Sequence, residues 1–305
     1  MTWPEGKRFA FTIFDDPDGQ SLEHSRLVYS YLTDLGLRTT KAVWPMGPVR
    51  EPNSGGETCG NPDYVEHVLQ LQELGFEVGY HNATVHPTIR AETLHALDLF
   101  RNYFGHDPWT MANHYNTEAI YWGDARVTGI RRSLYNLVQL GRRSGQYFGH
   151  IEGHPSFWGD ACRARIRFCR NFAYSSIHTL DECPWMPYHD PQRPYVPAWF
   201  SACDGNEGRT FCASISEANQ EHLEERGGAC ILYTHFGLGF VERGQLSPRF
   251  KSLMDRLRRK NGWFVSVNTL LEYLREQHGV MVISDAQRAS LELRWLREKI
   301  FRGTS

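Results

Sequence analysis

A chain of 305 residues is long for an average domain but ordinary for a single barrel of alternating strands and helices, which commonly takes about 250 residues or more. Its formal charge of −2 supplies no cationic surface for nucleic acid, and no apolar run reaches the ~20 residues that a membrane-spanning helix needs. The cysteines number 7, an odd count with no C-x-x-C pair, so they read as reduced thiols; with no apolar run after Met1-Thr2-Trp3-Pro4 they predict a cytoplasmic protein.

In chain order, residues 8–14 form an apolar, β-branched and aromatic run without polar alternation, which predicts a strand buried on both faces. Helical periodicity follows over 21–35, then a strand over 38–45, a helix over 63–74, a strand over 75–80 and a helix over 88–104. This alternation predicts a parallel α/β architecture. The stretch 45–60, rich in Pro, Gly, Asn and Glu, reads as a long loop after the second strand. From 141 to 216 the alternation breaks down, and prolines and glycines favour fixed loops. Order returns with a strand over 229–234, a helix over 248–260, a strand over 262–267 and a helix over 269–276. A last amphipathic helix over 284–301 starts at Ser284 as N-cap and runs through Leu291, Trp295 and Ile300. That helix either packs on the rest of the chain or forms a contact between subunits of a homo-oligomer.

The chemistry concentrates at three strand ends. Phe11-Thr12-Ile13-Phe14-Asp15-Asp16 closes a buried strand on two adjacent carboxylates, which is costly unless a cation or a shared proton relieves it. Gly75-Phe76-Glu77-Val78-Gly79-Tyr80-His81 is another short strand, followed by Asn82-Ala83-Thr84-Val85-His86-Pro87. Two histidines and a carboxylate from different strand ends suit a hydrolytic metal site with open positions. Residues five apart would stand about 140° apart on a helix, so His81 and His86 belong on a loop. Pro87 agrees, since it disfavours a helical His86 and suits the first turn of the next helix. Ala229-Cys230-Ile231-Leu232-Tyr233-Thr234 leads into His235, whose unperturbed pKa near 6.5 suits a general acid.

These segments, in this order and at these separations, resemble the polysaccharide deacetylase family, whose motifs are T-F-D-D, H-(S/T)-x-x-H and a hydrophobic pair leading into L-x-H. The resemblance covers most of the chain and implies an α/β fold, a distorted (β/α) barrel. Residues 1–305 would form one domain, with 38–45 as the second strand, 262–267 as the closing one and 141–216 as a loop-rich elaboration over the barrel mouth. By position it implies Asp15 as catalytic base, His235 as acid, and Asp16, His81 and His86 as ligands of Zn2+ or another divalent transition metal. The implied substrate is an N-acetylated amino sugar, nucleotide- or lipid-linked, in surface-polysaccharide or O-antigen assembly. Three departures stand out. Pro17-Asp18-Gly19 replaces the family's glycine and adds a carboxylate, and His86 comes one residue late. Thr110-Met111-Ala112-Asn113-His114-Tyr115 holds no arginine where the family has one. Asn113 or His114 would then partner Asp15, or the base is set differently, with Asp18 the alternative to Asp15. Two rival readings are a hydrolase of non-sugar amides such as cyclic ureides, and a barrel that has lost catalysis and binds a glycan or a partner enzyme; the missing arginine favours the second.

The remaining candidates for substrate binding are Asn113, His114, Trp158, Asp160, His189, Asp190 and Arg193. Trp158 reads either as a stacking platform for a sugar ring or as satellite core. Arg193 with His189 and Asp190 reads either as an anion-binding group or as an internal ion pair that pins a loop.

Overall fold

Phe9–Asp15 (β1) is buried at all its positions, as its unbroken apolar pattern requires. The computed structural model describes residues 2–141 and 145–303. After β1 come Leu22–Asp34 (α1), Thr40–Val43 (β2), Pro62–Glu73 (α2), Glu77–Tyr80 (β3), Arg90–Phe104 (α3) and Thr110–Met111 (β4). A 3-10 turn, Gly123–Arg126, leads to Gly129–Val138 (α4), Gly159–Arg165 (α5), Phe168–Tyr174 (β5), Thr179–Glu182 (α6), Tyr188–His189 (β6) and Ala198–Asp204 (β7). Gly208–Ser214 (α7), Glu217–Arg226 (α8) and Ala229–Thr234 (β8) follow, then the hairpin Val241–Glu242 (β9) and Gln245–Leu246 (β10). The chain ends with Pro248–Arg258 (α9), Gly262–Phe264 (β11), Val267–His278 (α10), Met281–Val282 (β12) and Asp285–Arg302 (α11). Among the described residues no helix is long and apolar enough to cross a membrane.

Strands β1, β2, β3, β4, β5, β7 and β8 pair in parallel and return to β1, closing a 7-stranded barrel surrounded by helices. The closing strand is β8, in register with β1 from Ala10↔Ala229 to Asp15↔Thr234. The expectation that 262–267 closes the barrel is therefore corrected: β11 meets β1 only from Phe9↔Gly262 to Phe11↔Phe264, and β2 takes over that edge at Phe14↔Thr40. All seven barrel strands point the same way, so their C-terminal ends and the loops that follow share one rim, where this architecture places its sites.

Side chains of β1 alternate between two packing layers. Phe9, Phe11 and Ile13 join Val28, Tyr29 and Leu32 of α1 and Leu253 of α9, whereas Ala10 and Phe14 join Tyr80, Met111 and Phe200 from the other strands. By the two-residue period of a strand, Asp15 falls on the helix-facing side and Asp16 on the barrel side.

The stretch 141–216 is not only an elaboration over the mouth, because it contributes β5 and β7 to the barrel. Its pattern is hard to read because Arg170 and Asn171 interrupt β5 with polar side chains that line a cavity inside the rim. The C-terminal helix α11 packs on the chain itself. Leu291, Trp295 and Leu296 are buried, and the Trp295 ring stacks on Tyr135 of α4 at 5.6 Å between centroids. Leu291 and Trp295 of the stripe that suggested a contact between subunits are thus covered within one chain, whereas Ile300 at its end is exposed.

A buried ion network fastens α11. Asp190 accepts from Arg193 and, at 2.7 Å, from Arg288; Glu292 accepts from Arg193 at 2.9 Å and from Arg131 at 2.6 Å. Burial opposes ionisation of Asp190, but the Arg288 hydrogen bond and the Arg193 charge outweigh it and hold its carboxyl below the ordinary value. Its ionised form therefore stabilises the fold above the unfolded pKa, about 4, and that contribution fades as pH falls through this value towards the lower folded one. Asp190→Asn is expected to cost about 3 kcal/mol at neutral pH, since it breaks the buried pairs with Arg193 and Arg288. Thermal unfolding against pH checks this: the variant's melting temperature should fall less than the wild type's below about pH 4, and identical acid limbs would remove Asp190 from the account.

Candidate metal and catalytic site

Asp15 lies beneath the rim rather than in it. Its carboxylate is fully buried, paired with Lys41 Nζ at 3.1 Å, and accepts from Tyr29 Oη at 3.0 Å, Gln20 Nε2 at 3.3 Å and the Phe236 backbone N–H at 2.9 Å. Burial pushes its pKa up, opposed by the Lys41 charge and these hydrogen bonds. With both oxygens engaged on the helix side, Asp15 is not placed to receive a proton from a substrate or water in the cavity. Its bond to Phe236 instead fixes the residue after His235.

Asp16, by contrast, lines the cavity at the rim. Its carboxylate takes a two-pronged pair from Arg170 of β5, with Nη1 at 3.1 Å and Nη2 at 2.5 Å. Arg170 also lies over the Tyr233 ring, 3.9 Å from its centroid. Residues 110–115 hold no arginine, and the one that pairs with Asp16 comes from the next barrel strand. The signal was a single charge within Phe168-Cys169-Arg170-Asn171-Phe172; a charged side chain in a buried strand calls for an opposite charge facing it.

The histidines gather around Asp18. His81 Nε2 lies 3.1 Å from Asp18 Oδ2 and His114 Nδ1 lies 3.3 Å from Asp18 Oδ1. One ligand atom from each of the three residues lies within 4.8 Å of the others. Burial opposes ionisation of Asp18, but hydrogen bonds from His114 and His81 and their charge hold its carboxyl well below the usual range. One carboxylate and two imidazoles are a suitable donor set for a divalent transition metal. His81 Nδ1 and His114 Nε2 are buried without a hydrogen-bond partner, so one nitrogen of each ring is open to ligation while the other faces Asp18. The residues fit the metal that the sequence resemblance implies, with Asp18 and His114 in place of Asp16 and His86. Asn82, at φ +60°, presents its side-chain oxygen to the His114 backbone N–H at 3.2 Å, and Glu118 in turn accepts from Asn82 Nδ2 at 3.3 Å. Trp44 flanks both imidazoles, with ring centroids 5.6 Å from His81 and 5.3 Å from His114.

His235 completes the rim. Its Nδ1 lies 2.7 Å from the Asn206 carbonyl and must donate to it, which turns Nε2 towards Asp16 Oδ2 at 3.8 Å and Asp18 Oδ2 at 3.7 Å. The turns carrying Asp18 and His235 approach closely: a Cβ on Gly237 would lie 2.3 Å from the backbone carbon of Gly19. Asp16, Asp18, His81, His114, Arg170 and His235 together line a cavity of about 400 Å³. A larger depression of about 820 Å³ beside α9 holds none of these groups.

His86 is corrected as a ligand. Its Nε2 accepts from the Val49 backbone N–H at 3.0 Å, so Nδ1 carries the proton and donates to the Pro87 carbonyl at 3.0 Å. No ring nitrogen remains for a metal, and His86 instead fastens the loop 45–60 to the loop after β3. Asn113 lines the cavity, but its amide exchanges hydrogen bonds of 2.8 and 3.0 Å with the Ile120 backbone. The other expected substrate contacts lie outside the cavity wall. Trp158 is buried and donates to the Glu118 carbonyl at 2.7 Å; Asp160 pairs with Arg90 at 2.6 Å on the surface. His189 bonds to the Pro197 carbonyl at 3.1 Å, and Asp190 with Arg193 belongs to the network that holds α11.

No family model matches the sequence, and no curated protein does. Among solved structures the chain is similar to a protein described as a polysaccharide deacetylase from Mycobacterium smegmatis, at TM-score 0.52 and 13% identity, with 93% of this chain and 96% of that one covered. A second protein so described, from Pseudomonas aeruginosa PAO1, and an allantoinase each give a TM-score of 0.49 at 12% identity. They cover 92% of this chain and 95% and 94% of their own. The fold is that of the polysaccharide deacetylases. At such identities the likeness is one of fold, and the chemistry rests on the side chains described above.

Proposed function

We propose that this protein is a metal-dependent hydrolase that removes an N-acetyl group from an amino sugar. The observation that carries the reading is the Asp16–Arg170 pair set beside the Asp18–His81–His114 cluster, with His235 Nε2 facing both carboxylates. Asp18, His81 and His114 would hold a divalent metal, which when bound polarises an acyl group and acidifies water. Asp16 takes the proton from the attacking water, and Arg170 holds its carboxylate in place. His235, fixed as the Nδ1–H tautomer by the Asn206 carbonyl, delivers a proton from Nε2 to the departing amine, which is too basic to leave as an anion.

A cavity of about 400 Å³, walled in part by Lys299 and Gly303 at the end of α11, suits a single sugar unit better than a threaded polymer. That favours a precursor, nucleotide- or lipid-linked, in surface-polysaccharide or O-antigen assembly over the finished glycan. The Arg170–Asp16 pair supports the hydrolase reading over that of a barrel without catalysis, which the absence of an arginine from 110–115 favoured.

Elemental analysis of protein purified without chelator is expected to give about one transition metal per chain, with acetate released from N-acetylated amino sugars. No metal after zinc is added back would overturn the proposal. Metal with hydrolysis of cyclic ureides, and no acetate release, would favour the non-sugar amide reading.

A further inference from the structure

Resting on the reading of Asp18, His81 and His114 as metal ligands, we infer that Ser54, in the loop 45–60, is a positioning residue for Asp18, and that this loop belongs to the metal centre although Ser54 is not part of the cavity wall. Ser54 Oγ lies 3.1 Å from Asp18 Oδ1. The same hydroxyl lies 3.3 Å from the Gly55 carbonyl, and its one proton goes to the closer acceptor, an ionised carboxylate that makes the stronger bond. Oδ1 is thereby held from the loop, while Oδ2 faces His81 Nε2 at 3.1 Å and His235 Nε2 at 3.7 Å.

Asp18 needs such a hold because its own strand does not supply one. β1 ends at Asp15, and the Asp16 backbone N–H still donates to the Thr234 carbonyl at 2.8 Å. Pro17 has no N–H to continue that ladder, so Asp18 stands on a turn beyond the sheet. The loop 45–60 takes the ladder's place. The Gly19 N–H donates to the Gly55 carbonyl at 2.7 Å, and the Glu57 N–H donates to the Gln20 carbonyl at 2.9 Å. Gly56, at φ +136°, passes so close to this turn that a Cβ there would lie 2.5 Å from the Pro17 carbonyl oxygen and 2.8 Å from the ring of Trp44, the indole that flanks both imidazoles.

The neighbouring part of the loop is anchored beside the other two ligands. The Asn53 N–H donates to the Val85 carbonyl at 3.0 Å, in the stretch that follows His81, and the Asn53 carbonyl accepts from Tyr115 Oη at 2.7 Å. Tyr115 follows His114, and its ring lies 4.2 Å from that imidazole between centroids. The loop therefore bonds to all three ligand-bearing segments, and Ser54 is the side chain through which it reaches the ligand carboxylate. A hydrogen bond of this kind fixes the orientation of a ligand, and its loss typically weakens metal binding by ~10- to 100-fold.

The test is zinc affinity by competition with a chelator, which reads the site without any substrate. Ser54→Ala should bind zinc about 10-fold more weakly, and Ser54→Thr, which keeps the hydroxyl, should restore the wild-type affinity. Asn53→Ala is the control for loop packing: it removes the 2.7 Å bond from Asn53 Nδ2 to Asn116 Oδ1 and leaves Ser54 in place, so zinc affinity should not change. Cobalt-substituted Ser54→Ala should also show shifted visible absorption, since those bands follow ligand geometry, whereas Asn53→Ala should keep the wild-type spectrum. Equal zinc affinity in wild type and Ser54→Ala, or an equal loss in Asn53→Ala or Ser54→Thr, would overturn the role of the Ser54 hydroxyl while leaving the metal site standing. A wild type that binds no zinc would overturn both. Weaker zinc binding in Ser54→Ala alone, with no acetate released from any amino sugar by the loaded wild type, would sustain the positioning role and reject the hydrolase reading.

Discussion

Asp16→Asn is expected to keep the metal and lose turnover, with kcat lower by about 10²- to 10⁴-fold, the range over which a positioned general base contributes. The substitution preserves shape but removes the cavity-lining carboxylate that Arg170 orients. Asp15→Asn should behave differently. It weakens the buried pair with Lys41 and the bond to Phe236, so the chain loses stability, about 3 kcal/mol for a broken buried pair, and His235 is held less firmly. Its kcat/KM should fall modestly with an unchanged pH profile, whereas Asp16→Asn should lose the limb set by the base. Since Asp16→Asn also leaves Arg170 buried without its partner, the pH profile of Asp16→Glu serves as a companion measurement, with the limb retained at reduced rate. Full activity in Asp16→Asn beside an inactive, well-folded Asp15→Asn would return the base to Asp15.

That inversion shows what was legible in the sequence and what was not. Long periodic segments could be read directly: β1, α1, α3 and α11 lie where hydrophobic period and capping place them, down to the Ser284 side chain accepting from the Gln287 backbone N–H. The strand-end location of the chemistry could also be read, because carboxylates and histidines at the tips of apolar runs have few structural reasons to be there. The roles within Asp15-Asp16 could not be read by motif alignment alone. They follow from parity along β1: Phe9, Phe11 and Ile13 face the helices, so Asp15 does too. The proline that replaces the family's glycine lies between Asp16 and Asp18, and the two site carboxylates are accordingly spaced two residues apart.

Arg170 and His114 were obscured for a different reason. Each meets its partner only through barrel closure, across 154 residues for Arg170 and Asp16, and local pattern carries no information about such a pairing. The ion network of Asp190, Arg193, Arg288 and Glu292 is the opposite case: residues that look like a polar ligand site in sequence are consumed by fastening a helix. In a loop-rich segment an arginine beside an aspartate has either use, and only the position of the cavity decides between them.

His114→Ala should strip the metal, while His86→Ala should keep it. Removing His114 takes away one of the three donors whose ligand atoms lie within 4.8 Å of one another, and the loss of zinc affinity should exceed the ~10- to 100-fold that follows from disturbing an outer partner. Asn82→Ala supplies that smaller effect for comparison, since Asn82 reaches the cluster through the His114 backbone N–H and not as a donor to the metal. His86→Ala removes the hydrogen bond from Val49 that fastens the loop 45–60 and the one to the Pro87 carbonyl, so it should lower thermal stability by about 1–2 kcal/mol and leave metal stoichiometry intact. Competition titrations of zinc against a chelator, run on all three variants, rank these effects in one experiment. If His86→Ala loses zinc while His114→Ala retains it, the ligand set returns to the one the motif spacing implied, and the Asp18–His81–His114 cluster becomes a hydrogen-bonded support for the loops.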